Sequence, residues 1–186
     1  MEFKKIKAPL TEDVIAGLKT GDEVLISGTI YTARDEAHRR LTALIFENKP
    51  LPFDIKGQII YYVGPSPAKP GEVIGSAGPT TSYRMDKYAP VLMEYGLKGM
   101  IGKGKRSIEV KDAVKKYKAV YFGAIGGAGA LIAKSIKSSK VIAYEELLSE
   151  AIRELTVEDF PAVVVNDIFG GDLYDEGKSK FAGKFK

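Results

Sequence analysis

Between residues 98 and 168, short apolar runs rich in β-branched residues alternate with segments whose apolar positions recur at helical spacing. This alternation restricts the fold more than any other feature of the chain. Strands are expected at 98–102, 118–125, 139–143 and 161–168, and helices at about 106–117, 127–137 and 144–154. A strand that returns parallel to its predecessor needs a crossover of a dozen or more residues, so the rhythm implies parallel βαβ units. Upstream, residues 23–31 and 57–63 also have strand character. A helix is expected from Arg34 through Ala37, Leu41, Leu44 and Ile45, ended by the polar and proline-rich residues 48–52. Pro65, Pro67 and Pro70 make residues 64–71 an irregular connection. A further helix should run from the hydroxyl-rich segment near residue 80 to Tyr95, with Gly96 as its stop. The expected fold class is therefore α/β, with mostly parallel βαβ units. One domain is expected over residues 1–176, followed by a flexible Lys- and Gly-rich tail at 177–186.

Composition removes several function classes. The sequence has no Cys and one His, which leaves no disulfide, no thiolate metal site, no cysteine nucleophile and no self-contained zinc site. No metal-ligating residues are expected in this chain. Lys and Arg number 28 against 24 Asp and Glu, a formal net charge of +4. Such an excess suits anionic small molecules and is too small to imply nucleic acid. No stretch approaches the roughly 20 apolar residues of a membrane helix, so no membrane association is expected. The charged start Met1-Glu2-Phe3-Lys4-Lys5 is not followed by an apolar segment, which makes a cytoplasmic location the expectation.

Four features carry chemistry, and all are expected after strands or at helix starts, where open α/β sheets bind ligands. The first is Gly28-Thr29-Ile30-Tyr31-Thr32-Ala33-Arg34-Asp35-Glu36-Ala37-His38. A helix beginning near Thr32 or Ala33 puts Arg34 in its first turn and His38 one turn further on the same face. A cation there opposes the helix dipole, a small penalty recovered if Arg34 grips a carboxylate or phosphate. His38 adds a group able to move a proton near neutral pH. The same residues also allow a plain ion pair at Arg34 and a buried, satisfied His38.

The second feature repeats the spacing, with Thr80 and Arg84 four apart after the Gly78-Pro79 turn. Capping accounts for one of the three consecutive hydroxyl residues Thr80, Thr81 and Ser82, but not for Arg84. The third is Gly102-Lys103-Gly104, a lysine on a strand-ending loop that also reads as an ordinary turn; it lacks the Ser or Thr and the glycine spacing of a Walker A loop. The fourth, Gly123-Ala124-Ile125-Gly126-Gly127-Ala128-Gly129, does not match the dinucleotide-binding spacing, and close backbone approach or tight packing explains it equally well. Together, Arg34, Arg84 and Lys103 suggest a pocket for a substrate with more than one carboxylate.

In their order across residues 10–177, these motifs resemble the β subunit, or C-terminal domain, of the class I fumarases and the related L-tartrate dehydratases. The resemblance extends through Gly78-Pro79-Thr80-Thr81-Ser82-Tyr83-Arg84-Met85-Asp86, where this chain has Tyr83 and many members have Gly or Ala. It implies a swivelling, three-layer β/β/α domain. It also implies a cysteine-bearing α-subunit partner that holds a [4Fe–4S] cluster, in keeping with the lack of Cys here. By the same resemblance Arg34, Thr80, Arg84 and Lys103 would contact a dicarboxylate such as fumarate or malate, and Thr80 and His38 would be the catalytic candidates. The function implied is reversible hydration of fumarate to L-malate. L-Tartrate dehydration is the alternative within this chemistry, and a non-catalytic dicarboxylate-binding module is the alternative outside it.

Overall fold

A computed structural model describes residues 3–124 and 129–181. Seven strands form one mixed sheet, accompanied by six helices among the described residues: β1 (Lys4–Ala8), α1 (Glu12–Ala16), β2 (Glu23–Thr32), α2 (Asp35–Phe46), β3 (Ile59–Tyr61), α3 (Ala89–Glu94), β4 (Gly99–Gly102), α4 (Ile108–Lys116), β5 (Val120–Gly123), α5 (Gly129–Ser135), β6 (Ile136–Ala143), β7 (Ile152–Asn166) and α6 (Leu173–Phe181). The protein is a mixed α/β structure, as the alternation implies.

Pairing closes on itself. β2, β3, β4 and β5 are joined by parallel ladders, β5 pairs antiparallel with the far end of β7, and β7 pairs antiparallel with β2. Val163 sits in register with Gly123 and with Glu23, so both edges of β7 are occupied there. β1 extends the other edge of β2 ahead of β3, while β6 pairs with the first half of β7. Closure satisfies backbone groups that an open sheet would leave at its edges.

Successive residues of a strand point to opposite faces, and β3 shows the consequence. Ile59 and Tyr61 enter a core with Val24, Ile26, Phe122 and Phe160, which the paired strands surround. Ile60 and Tyr62 enter a second core with Leu41 of α2, Leu92 of α3 and Val110 of α4. The helices meet this core through one face each; on α2 the buried set is Ala37, His38, Leu41 and Thr42.

The structure corrects several sequence-based expectations. No α-helix forms over 144–154: residues Glu145–Glu150 make a 3₁₀ segment, and from Ile152 the chain is already β7. Tyr144, Leu147, Leu148, Ala151 and Ile152 recur at helical spacing, which explains the misreading, although Ile152 already begins β7. A bulge at Asp159, with φ of +49°, inserts the extra residue against Ser27 of β2, whose hydroxyl accepts from the Asp159 amide at 3.0 Å. The parallel βαβ pattern therefore ends at β5, and every ladder of β7 is antiparallel.

The helix expected from residue 80 to Tyr95 is divided into a 3₁₀ segment at Ser82–Met85 and α3. Pro90 cannot donate a backbone hydrogen bond and is tolerated only at the start of a helix, so α3 begins beside it. Gly96 does stop α3, at φ +116°. Helix α6 crosses residue 177, where the tail was expected to begin.

Candidate functional site

The ends of the parallel strands bring the candidate residues together. Arg34 follows β2, Lys103 follows β4, and Thr80 reaches them through the backbone: its amide donates to the Tyr62 carbonyl at 2.7 Å, just beyond β3. Ser82 N–H donates to the Lys103 carbonyl at 2.9 Å, and Thr81 and Lys103 form an isolated parallel bridge. The segment bearing Thr80 and Arg84 thus lies against the end of β4.

Arg34 is the N-cap of α2 rather than part of its first turn, with extended φ of −122° and ψ of −161°. Its guanidinium makes no cap; Nη2 lies 3.3 Å from Glu150 Oε1, and Nε lies 4.0 Å from Asp35 Oδ2. Glu150 supplies the missing cap, accepting from the Glu36 amide at 3.3 Å through Oε2. Gly64 makes room for the arginine: a Cβ there would stand 2.5 Å from Arg34 Nη1 and 3.1 Å from the Ser149 carbonyl oxygen.

Arg84 donates through Nη2 to Thr80 Oγ1 at 2.7 Å, and the same nitrogen lies 3.5 Å from Asp35 Oδ2. Asp35 therefore stands between the two arginines. Asp35 and Arg84 line a cleft of about 740 Å³ together with Tyr83, Lys87, Ser107 and Glu109. Lys103 is exposed and has no ion pair among the described residues. Arg34, Arg84 and Lys103 thus share this end of the molecule with the carboxylates of Asp35 and Glu150, and Asp86, Lys87 and Glu109 add further charges of both signs to the cleft.

His38 takes a different position from the other candidates. It has no exposed surface, its Nδ1 lies 2.8 Å from the Arg34 carbonyl, and its ring meets Tyr62 edge-on at 5.1 Å. A carbonyl only accepts, so Nδ1 carries the proton and Nε2 is a bare acceptor, without a partner among the described residues. Burial pulls the imidazole pKa down to about 4, so His38 is neutral at physiological pH.

The glycines flanking Lys103 act inward. A Cβ on Gly102 would collide with Ser82 Oγ and reach within 3.0 Å of Tyr62, so this glycine admits the Ser82 segment. Gly104 adopts φ of +88°, a conformation that L side chains rarely take. In the fourth motif, residues 125–128 lie outside the described part; a Cβ on Gly129 would be 2.8 Å from Gly78 N, which is tight packing against the Gly78-Pro79 turn.

Glu150 and Gly64 were not signalled by the sequence. Glu150 sits on a 3₁₀ segment far along the chain, and Gly64 lies in an irregular connection. Asp35 was visible only as the neighbour of Arg34. A second cleft, of about 760 Å³ between α4 and α6, is lined by Lys111, Asp172 and Asp175, which pair with one another, and contains none of these candidates.

The strand ends of this closed, mixed α/β frame gather Arg34, Thr80 with Arg84, and Lys103 from three separate segments. The family model described as Fumarase C-terminus matches residues 2–177, and the chain belongs to that family. It is 42% identical over 158 residues to fumarate hydratase 2 of Leishmania major, covering 84% of this chain and 28% of that protein. It is 44% identical over 153 residues to the anaerobic class I fumarate hydratase of Escherichia coli (strain K12), covering 81% of this chain and 28% of that protein. Against the "Putative L(+)-tartrate dehydratase subunit beta" of Methanocaldococcus jannaschii, identity is 38% over 177 residues, covering 92% of this chain and 91% of that protein. The chain thus spans 28% of the length of these two fumarate hydratases.

The residues present do not fit an iron–sulfur cluster. The sequence has no Cys, and no group of three or more His, Cys, Asp or Glu among the described residues could hold a metal ion. No described helix is long and apolar enough to cross a membrane.

Proposed function

We propose that this chain is the β subunit of a two-subunit hydro-lyase that reversibly hydrates fumarate to L-malate in the cytoplasm. The reading rests on family membership and on one geometric observation: Arg34, Arg84, Thr80 and Lys103 occupy one end of the sheet, with Arg84 donating to the Thr80 hydroxyl. On this reading the family's swivelling three-layer β/β/α architecture applies to a single domain over residues 1–176. The two cores on opposite faces of β3 support the layering.

Removing a proton from carbon next to a carboxylate builds negative charge on that carboxylate. Fixed cations around it then stabilise the transition state more than the ground state. Arg34, Arg84 and Lys103 are assigned this role, each able to meet a carboxylate oxygen of a small dicarboxylate. Thr80 and His38 are the proton-exchange candidates. The burial of His38 favours Thr80, whose Oγ1 lies beside a guanidinium that favours its deprotonated form. His38 instead holds the Arg34 carbonyl and the first turn of α2.

A [4Fe–4S] cluster in the enzyme would be held by a cysteine-bearing α subunit, because this chain has no Cys to offer it. The second reading, an L-tartrate dehydratase β subunit, is favoured by the Methanocaldococcus jannaschii relative, which matches this chain over nearly its whole length. Anaerobic isolation with any co-purifying subunit, followed by iron analysis and parallel assays of fumarate hydration and L-tartrate dehydration, tests both. Turnover of tartrate alone would replace the first reading with the second. A solitary, iron-free chain that binds malate without turning it over would overturn both in favour of a dicarboxylate-binding module.

A further inference from the structure

Beneath the Lys103 loop lies a buried ion pair that the chemistry above does not use. The Arg106 side chain has 0% exposure, and its Nε donates to Asp86 Oδ1 at 2.7 Å. The other oxygen of Asp86 accepts from the Ser107 amide at 2.6 Å. The guanidinium carbon sits 4.8 Å from the centre of the Tyr121 ring and 5.4 Å from that of Tyr62. Tyr121 extends the connection, donating its hydroxyl hydrogen to the Gly104 carbonyl at 2.9 Å, with Ser82 Oγ also 2.9 Å from the phenol oxygen.

We infer that Arg106 and Asp86 are positioning residues: their buried pair sets the offset between the loop carrying Lys103 and the segment carrying Thr80 and Arg84. The inference rests on the functional reading above and adds residues to that same site. Arg106 is three positions beyond Lys103, and Asp86, which lines the cleft beside Arg84, is two beyond Arg84, so the pair ties the two segments next to the groups assigned to the ligand. The backbone contacts there are sparse: one bridge, with Ser82 N–H donating to the Lys103 carbonyl and Lys103 N–H to the Thr80 carbonyl at 3.3 Å. Desolvating two charges offsets much of their mutual attraction, so stability alone is a weak reason for such a pair. The guanidinium is also geometrically specific. Its Nε meets Asp86 and its Nη1 lies 3.5 Å from Met100 Sδ while the guanidinium carbon sits over the Tyr121 and Tyr62 rings, a set of contacts that a lysine ammonium cannot reproduce.

The decisive variant is the double replacement Arg106→Met with Asp86→Leu, which removes both charges and keeps apolar volume. Arg106→Lys is its conservative companion and covers the case in which the double variant does not fold. A purely structural pair predicts that the double variant behaves as wild type once folded. The positioning role predicts otherwise in two measurements. In the full chain, amide hydrogen exchange at Ser82 and Lys103 should accelerate at least about tenfold, with exchange at Ile60 and Val164 unchanged. In the assembled complex, kcat/KM for fumarate should fall about 100-fold in both variants, the loss expected when reacting groups are displaced by about 1 Å. Unchanged exchange at both amides overturns the clamp whatever the complex does. Faster exchange with kcat/KM within about threefold of wild type overturns its service to the site. A wild-type complex that turns over no dicarboxylate defeats the functional reading, while the exchange result still decides the clamp.

Discussion

Arg84 Nη2 and Thr80 Oγ1 are 2.7 Å apart, Thr80 preceding the 3₁₀ segment Ser82–Met85 that carries Arg84, a pairing that places a cation of the cleft lining against a half-buried hydroxyl. The hydroxyl accepts, so its own proton remains free to leave or return. The relationship couples Thr80 and Arg84 through a side-chain hydrogen bond, so a change at either alters the other.

Replacing Thr80 with Val keeps the shape and removes the hydroxyl. Turnover in the assembled complex should fall by about 10²–10⁴, the usual worth of a positioned proton-transfer group. Thermal midpoints, measured alongside steady-state rates, should stay within a few degrees of wild type. A rate within threefold of wild type would exclude Thr80 from proton exchange.

Arg84→Ala and Lys103→Ala test the proposed role of these charges at the substrate carboxylates. Each should lower kcat/KM by about 10²–10³ without unfolding the domain, because Lys103 is exposed and Arg84 about one-third exposed. Circular dichroism and initial-rate kinetics on the same preparations separate the two effects. Near-normal kinetics in both variants would remove these residues from the site.

Gly64→Ala tests how Arg34 is placed. The added methyl would meet the far end of a flexible guanidinium at 2.5 Å, so Arg34 moves and the fold largely persists. The expected signature is a loss of about 10² in kcat/KM with a modest fall in thermal midpoint. A large loss of folded protein with normal activity in the remainder would show that the glycine serves packing instead.

His38 gives the protein an acid sensitivity of definite sign. Its folded pKa of about 4 lies below the ordinary 6.5, so the unfolded chain takes up a proton over a range in which the folded chain does not. Stability from this residue is present above the unfolded value and is lost as pH falls through that window, up to about 3 kcal/mol. Denaturant midpoints of wild type and His38→Gln at pH 7 and pH 4.5 read it directly. The wild type should lose more on acidification than the variant, and parallel losses would refute the assignment.

The core makes an independent check on the fold. Leu41 of α2 is fully buried beside Leu92 and Val110, so Leu41→Ala should cost about 2–5 kcal/mol in equilibrium unfolding. A cost below about 1 kcal/mol would mean that α2 is not seated on the sheet as described.

Local order around the site was legible from sequence because it is written in short periods. β2 with its following helix, and β4 with α4 and β5, show apolar residues at spacings of two or of three and four, and those spacings reflect which side of an element faces a core. Arg34, Thr80, Arg84 and Lys103 were legible as members of three motifs, but as neighbours in sequence rather than in space. The single strand over Ile152–Asn166 was hidden at its start by Tyr144, Leu147, Leu148, Ala151 and Ile152, which recur at helical spacing, and later by the Asp159 bulge, which interrupts its alternation.

By itself the sequence determined the α/β class and the absence of any thiolate ligand, since each depends only on residue type and short-range order. Tertiary structure alone decided that β7 closes the strands on themselves, that Glu150 caps a helix whose first turn lies 114 residues earlier, and that His38 is withdrawn from the surface. These outcomes turn on long-range pairing and on desolvation, which depend on what the folded chain places against a residue and not on the residues beside it in sequence.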